Sequence, residues 1–182
     1  LVTTGTLTGA YILNVVRENA TNYLVDVHTG TGTGTLGLNF ANMVGMAPTV
    51  SNPPAGEVYT VDTVDPTVTI NQAAGQTDPT GSLPINFTAQ FSEAVTGFTQ
   101  QGVWITGTAP GSKTATITDL GGNRYNVAIN GVTGDGTVIV TILQGAARDS
   151  VNRRSRASTS TDNTVTVILP TSTPTPTNTP TS

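Results

Sequence analysis

His28 is the single histidine of the chain, and Asp26, two positions before it on an alternating stretch, lies on the same side of the backbone. A carboxylate beside an imidazole is part of a nucleophile-activating set. The remaining part is missing from the sequence: no G-x-S-x-G elbow occurs, there is no cysteine, and the matching positions further along, Ala128 and Asn130, carry neither group. The pair therefore reads as solvated side chains on a strand, and the chain as a protein that is not an enzyme.

Four carboxylates offer a different chemistry. Asp62 and Asp65 flank a junction between two parts of the chain, and the loops carrying Glu93 and Asp149 are expected at the same end of the following module. Hard oxygen donors at a hinge can hold calcium; ordinary solvation of a linker is the competing reading, and no other cofactor is expected. Arg148, Arg153, Arg154 and Arg156 fall within nine residues. They suit an anionic glycan or a phosphate, and equally a solvated loop before the last strand. No aromatics are interleaved with them, so nucleic acid is not an expected partner. Trp104 stands between Val103 and Ile105, which share a face, so its indole points the other way. There it could stack on a sugar ring or bury against a neighbouring module; were the alternation reversed, it would be a core residue. The run Thr29 to Thr35 alternates Thr and Gly, but a strand rather than a helix follows, so it reads as a hairpin turn and not a phosphate loop. Asn19-Ala20-Thr21 and Asn86-Phe87-Thr88 match the N-glycosylation pattern by chance, and the Thr/Pro tail is the better place for O-linked sugar.

The elements that position these residues are strands. In 182 residues only 10% are charged and 5% aromatic, 20 are Gly and 11 Pro, and Thr supplies roughly one residue in five, a strand-and-turn composition. Net charge is -4, so no broad basic footprint exists for nucleic acid or an anionic membrane. The longest apolar stretch, Val138 to Leu143, is interrupted by Thr141 and is far shorter than the ~20 residues that cross a bilayer as a helix. The chain opens at Leu1 inside a Thr/Gly pattern, which reads as a fragment or processed product. Its Lys-poor, Thr-rich, acidic balance fits an extracellular or cell-surface location, and the lack of cysteine does not by itself place it in the cytosol.

Tyr23 laid over Tyr125, 102 residues on, aligns Tyr23 to Phe40 with Tyr125 to Ile142 without a gap, and Gly5, Thr6 and Gly9 with Gly107, Thr108 and Gly111. After Phe40 the loops diverge, and the copies rejoin where VYTV (58–61) resembles TVTV (164–167). The match predicts that 5–40 and 107–142 are strand-for-strand equivalents, and that the first copy is incomplete. Period-two alternation at Ile85, Phe87, Ala89 and Phe91, at Tyr125, Val127 and Ile129, and at Val138, Val140 and Ile142, with turn clusters between, predicts seven strands. They fall near 67–72, 84–92, 102–107, 113–119, 124–130, 136–143 and 162–169. The division is residues 1–62 as the C-terminal half of one sandwich, 63–169 as a complete one, and 170–182 as an extended Thr/Pro spacer.

The junction YTVD through DPTVTI (59–70), the stretch INFTA, FSE and VTGF (85–98), and the ending ASTSTDNTV (157–165) together resemble the tandem bacterial immunoglobulin-like repeats of large surface proteins. The resemblance implies all-β, immunoglobulin-like antiparallel β-sandwich repeats in an extracellular spacer rod, used for adhesion or spacing, with no catalytic residues to carry over. Expected partners are neighbouring repeats of the same chain, a strand from another copy, or polysaccharide. A carbohydrate-binding accessory module of a secreted enzyme and a strand-exchanging filament subunit are the alternatives. Such repeats often carry an Asp-x-x-Gly-Asn turn before the last strand; here 149–153 reads DSVNR, without the Gly, and the Asn39 to Pro54 loop is altered.

Overall fold

The computed structural model describes residues 1–39 and 56–170, so most of the 39–54 loop and of the Thr/Pro tail lie outside the described residues. The chain divides into two compact units, Leu1–Val64 and Asp65–Ser182. The described residues are all β, apart from one 3₁₀ turn at Gln100–Gly102. The fold class read from composition and period-two patterning is the one observed.

In the second unit β-branched and aromatic residues at alternating positions form β6 (Val68–Gln72), β7 (Ile85–Phe91), β8 (Val103–Thr106), β9 (Thr114–Gly121), β10 (Arg124–Asn130), β11 (Gly136–Ile142) and β12 (Thr164–Val167). Each lies within about two residues of its expected span. Two antiparallel sheets result, one in the order β6-β7-β10-β9 and one in the order β12-β11-β8. One face of each is apolar, and the two faces close on a single core. Val68, Ile70, Ile85, Phe87, Ala89, Phe91, Val127 and Ile129 come from the first sheet, and Val138, Val140, Ile142, Val165 and Val167 from the second. Phe91, Phe98 and Tyr125 meet edge to face at 5.3 to 5.7 Å, the geometry favoured by the ring quadrupole.

The first unit holds β1 (Val2–Thr3), β2 (Tyr11–Arg17), β3 (Tyr23–His28), β4 (Thr33–Gly37) and β5 (Val58–Asp62). Its sheets run β1-β4-β5 and β2-β3. The first repeats the order β8-β11-β12, and the second the β9-β10 half of the larger sheet. Pairing is identical in part: Tyr23 to Asp26 lie opposite Arg17 to Asn14 as Tyr125 to Ala128 lie opposite Asp119 to Thr116. Two local differences depart from the gapless correspondence. A bulge between Ile12 and Asn14 shifts the start of β2 by one residue. Thr35 meets Thr4 through its hydroxyl at 2.7 Å, whereas Thr137 meets Thr108, the counterpart of Thr6. That slide of two residues is permitted because a shift of two leaves every side chain on its own face.

The two units differ most in what they bury. Among the described residues of the first, the buried large apolar ones are Leu7 and Leu36, while Tyr11, Ile12, Leu13, Val15, Val16, Tyr23 and Leu24 are exposed. Among the described residues nothing in this unit takes the places that β6 and β7 hold in the second.

Candidate functional site

The loop between β11 and β12 turns on Asp149. Its side chain is 4% exposed, and its Oδ1 accepts the backbone N–H groups of Val151 and Arg153, both at 2.9 Å. Main-chain bonds from Asp149 N to Arg153 O and from Asn152 N to Asp149 O, both 3.2 Å, close the turn. Asn152 takes φ +70°. Asn is the residue after Gly that best tolerates the left-handed region, so the turn closes with Asn at this position.

The second oxygen of Asp149, Oδ2, is buried and has no hydrogen-bond partner. A carboxylate oxygen of Glu93 lies within 4.8 Å of the Asp149 carboxylate. Two carboxylates so close, one of them sealed from water, present hard oxygen donors to a divalent cation. Asp65 is engaged elsewhere: Arg153 reaches its Oδ1 at 2.8 Å and Arg156 its Oδ2 at 3.7 Å. Asp62 belongs to the first unit, where its Oδ1 accepts from Thr33 Oγ1 at 2.8 Å and from Val64 N at 3.0 Å.

The arginine cluster is correspondingly divided. Arg153 and Arg156 face Asp65, Arg148 donates from Nη1 to the carbonyl of Asn152 at 2.7 Å, and Arg154 is exposed. Half of the four positive charges are therefore opposed by a carboxylate of the same unit, which weakens the attraction the cluster exerts on an outside anion.

Trp104 lies on the outer face of β8, 59% exposed, opposite Thr141 on β11. Val103 and Ile105 turn inward and pack on the core. Of the alternatives left open by the sequence, the structure gives the outward indole. His28 is exposed on β3, stacks on Tyr11 at a centroid distance of 5.0 Å, and accepts the Gly30 N–H at Nδ1, 3.1 Å. The Thr/Gly run turns through Gly30 and Gly32 at φ +78° and +113° and enters β4. A Cβ at Gly30 would sit 2.0 Å from the Thr8 carbonyl oxygen, so close backbone approach, not ligand binding, requires glycine there.

An apolar concavity belongs to the first unit. It is a groove of about 900 Å³ between the two sheets, lined mainly by Ile12, Val15, Val25, Val27, Leu36 and Tyr59. Tyr59 donates its hydroxyl to Glu57 Oε2 at 2.7 Å; that bond, and then the charge of Glu57, raise its pKa above the usual tyrosine value. The apolar residues were legible in the sequence. Their convergence on one open groove depends on how the strands are layered, which no local pattern encodes.

No protein-family model, curated protein or solved structure matches the chain.

Proposed function

We propose that this chain is a structural or adhesive module of an extracellular bacterial surface protein, acting as a spacer and not as an enzyme. The observation that carries the reading is the recurrence of one strand order in two successive units: β1-β4-β5 with β2-β3, then β8-β11-β12 with β9-β10. A chain that sets the same half-sandwich twice is built by tandem repetition of an immunoglobulin-like module, and such arrays give length rather than chemistry. The connection supports it. Thr63 N bonds Gly32 O at 3.1 Å within the first unit, and Pro66 O accepts from Arg156 N at 2.8 Å within the second. Little chain is left slack between them, as a spacer requires.

Antibodies raised against the second unit test the location and role together. They are expected to label intact source cells and to block cell-to-surface attachment or reveal the module's height above the envelope. Labelling that appears only after permeabilisation would overturn the reading.

The exposed Trp104 favours one second reading, a carbohydrate-binding accessory module. An indole on a flat sheet face can stack on a pyranose ring. Retention of the chain on insoluble polysaccharide, lost in Trp104→Ala, would establish it; equal behaviour of the two proteins would remove it.

A further inference from the structure

We propose that the groove of the first unit receives an extended strand of a separate polypeptide, added antiparallel along the edge of β3 that no described strand pairs and carrying large apolar side chains at alternating positions. The second unit displays the arrangement. There β10 is an inner strand, bonded on one side to β9 and on the other to β7. Across that second ladder Tyr125 faces Ala89, Val127 faces Phe87 and Ile129 faces Ile85. In the first unit β3 holds β2 in the same four-pair register, and among the described residues no strand lies on its other side. Val25 and Val27, which match the fully buried Val127 and Ile129, instead line the groove.

Size and chemistry narrow the occupant. The groove's walls are mostly Val, Ile and Leu, a surface against which water is poorly accommodated. Water so placed is released when apolar side chains enter, while unpaired backbone groups along a strand edge gain partners from an added strand. This chain's own β7 is not available, being bonded on both sides in the second unit by β6 and β10. A second copy offering its β3 edge to edge would bring Tyr23, Val25 and Val27. The template strand brings Ile85, Phe87, Ala89 and Phe91, so the self-pair leaves the groove underfilled. The residue opposite Val25 is expected to be the large one, as Phe87 is opposite Val127. The inference rests on the geometry of the first unit and stands whether or not the chain serves as a spacer.

The probe is a synthetic peptide with the sequence of residues 83–93, and its control carries Phe87→Ser and Phe91→Ser. Each is added to the full 182-residue chain, with amide hydrogen exchange read at Tyr23 to His28 and mass read by sedimentation. Without peptide the chain is expected to be monomeric, with the β3 amides that point away from β2 poorly protected. The peptide should slow those amides at least about tenfold, with 1:1 stoichiometry. The control peptide should not, and Val25→Asp in the chain should abolish the response. Three results would overturn the proposal: no slowing by the peptide, protection of those amides in the peptide-free monomer, or protection that grows with chain concentration as a dimer forms. The second would show the groove closed from within, and the third would make a second copy its occupant.

Discussion

At Asp149 one side chain carries two separable tasks. Oδ1 holds two backbone amides of the turn, and Oδ2 is buried without a hydrogen-bond partner near Glu93. Asp149→Ala leaves both amides without their acceptor and is expected to destabilise the second unit by about 1–3 kcal/mol, read from the denaturant midpoint. Asp149→Asn keeps one oxygen for the amides and should cost less. Calorimetric titration of the metal-stripped full chain with calcium tests the carboxylate pair: heat that is lost in Asp149→Asn would place an ion there, and a flat isotherm in the parent chain would leave the pair without one. Tyr125 supplies an alkaline signature. Burial first, and then the charge of Asp119, raise its pKa above the usual 10.0. The folded state thus holds this proton more tightly than the unfolded one. The associated stability is complete below the unfolded value and is lost as pH rises through the folded value. The melting temperature of the parent chain should fall more steeply above pH ~10 than that of Tyr125→Phe; parallel curves would show that the hydroxyl is not linked to folding.

Among the elements, β7 and β2 carry similarly apolar sequences into opposite circumstances. Phe87 on β7 is fully buried between two sheets, and Phe87→Ala should cost about 3–5 kcal/mol in chemical denaturation. Leu13 on β2 is 58% exposed, and Leu13→Ser should stay within about 0.5 kcal/mol. A large loss at Leu13 would mean that the face of β2 is covered in solution. The strand spans themselves were legible because turn residues punctuate them: Gly121-Gly122-Asn123 separates β9 from β10 with three successive positive φ values, a conformation that local sequence specifies. The bulge at Leu13 and the two-residue slide of β4 on β1 were not legible. The slide leaves every side chain on its own face, so the pattern has nothing to distinguish it; the bulge puts Ile12 rather than Leu13 on the groove side with Val15, a choice that a run of apolar residues at 11–13 leaves open.

For the whole molecule, the two units should unfold separately. The second closes a core of some eighteen buried apolar residues, whereas among the described residues of the first only Leu7 and Leu36 are buried large apolar side chains and most of the others are wet. At roughly 25 cal/mol per Å² of apolar surface, that difference is comparable with the whole stability of a small domain. Scanning calorimetry of the full chain is expected to show one cooperative transition from the second unit and early, weak loss of the first; a single transition that also removes all protection of β3 would show the two coupled. Composition and period-two alternation sufficed for the all-β class, the seven strands of the second unit and their inward residues, because those features are local and repeat along one chain direction. The tertiary structure alone decided that Trp104 faces outward, that Asp65 is held by Arg153 while Asp149 lies near Glu93, and that the apolar strands of the first unit frame an open groove. Each of these depends on contacts between segments far apart in sequence, whose geometry is set by how sheets stack and not by any pattern a single strand can carry.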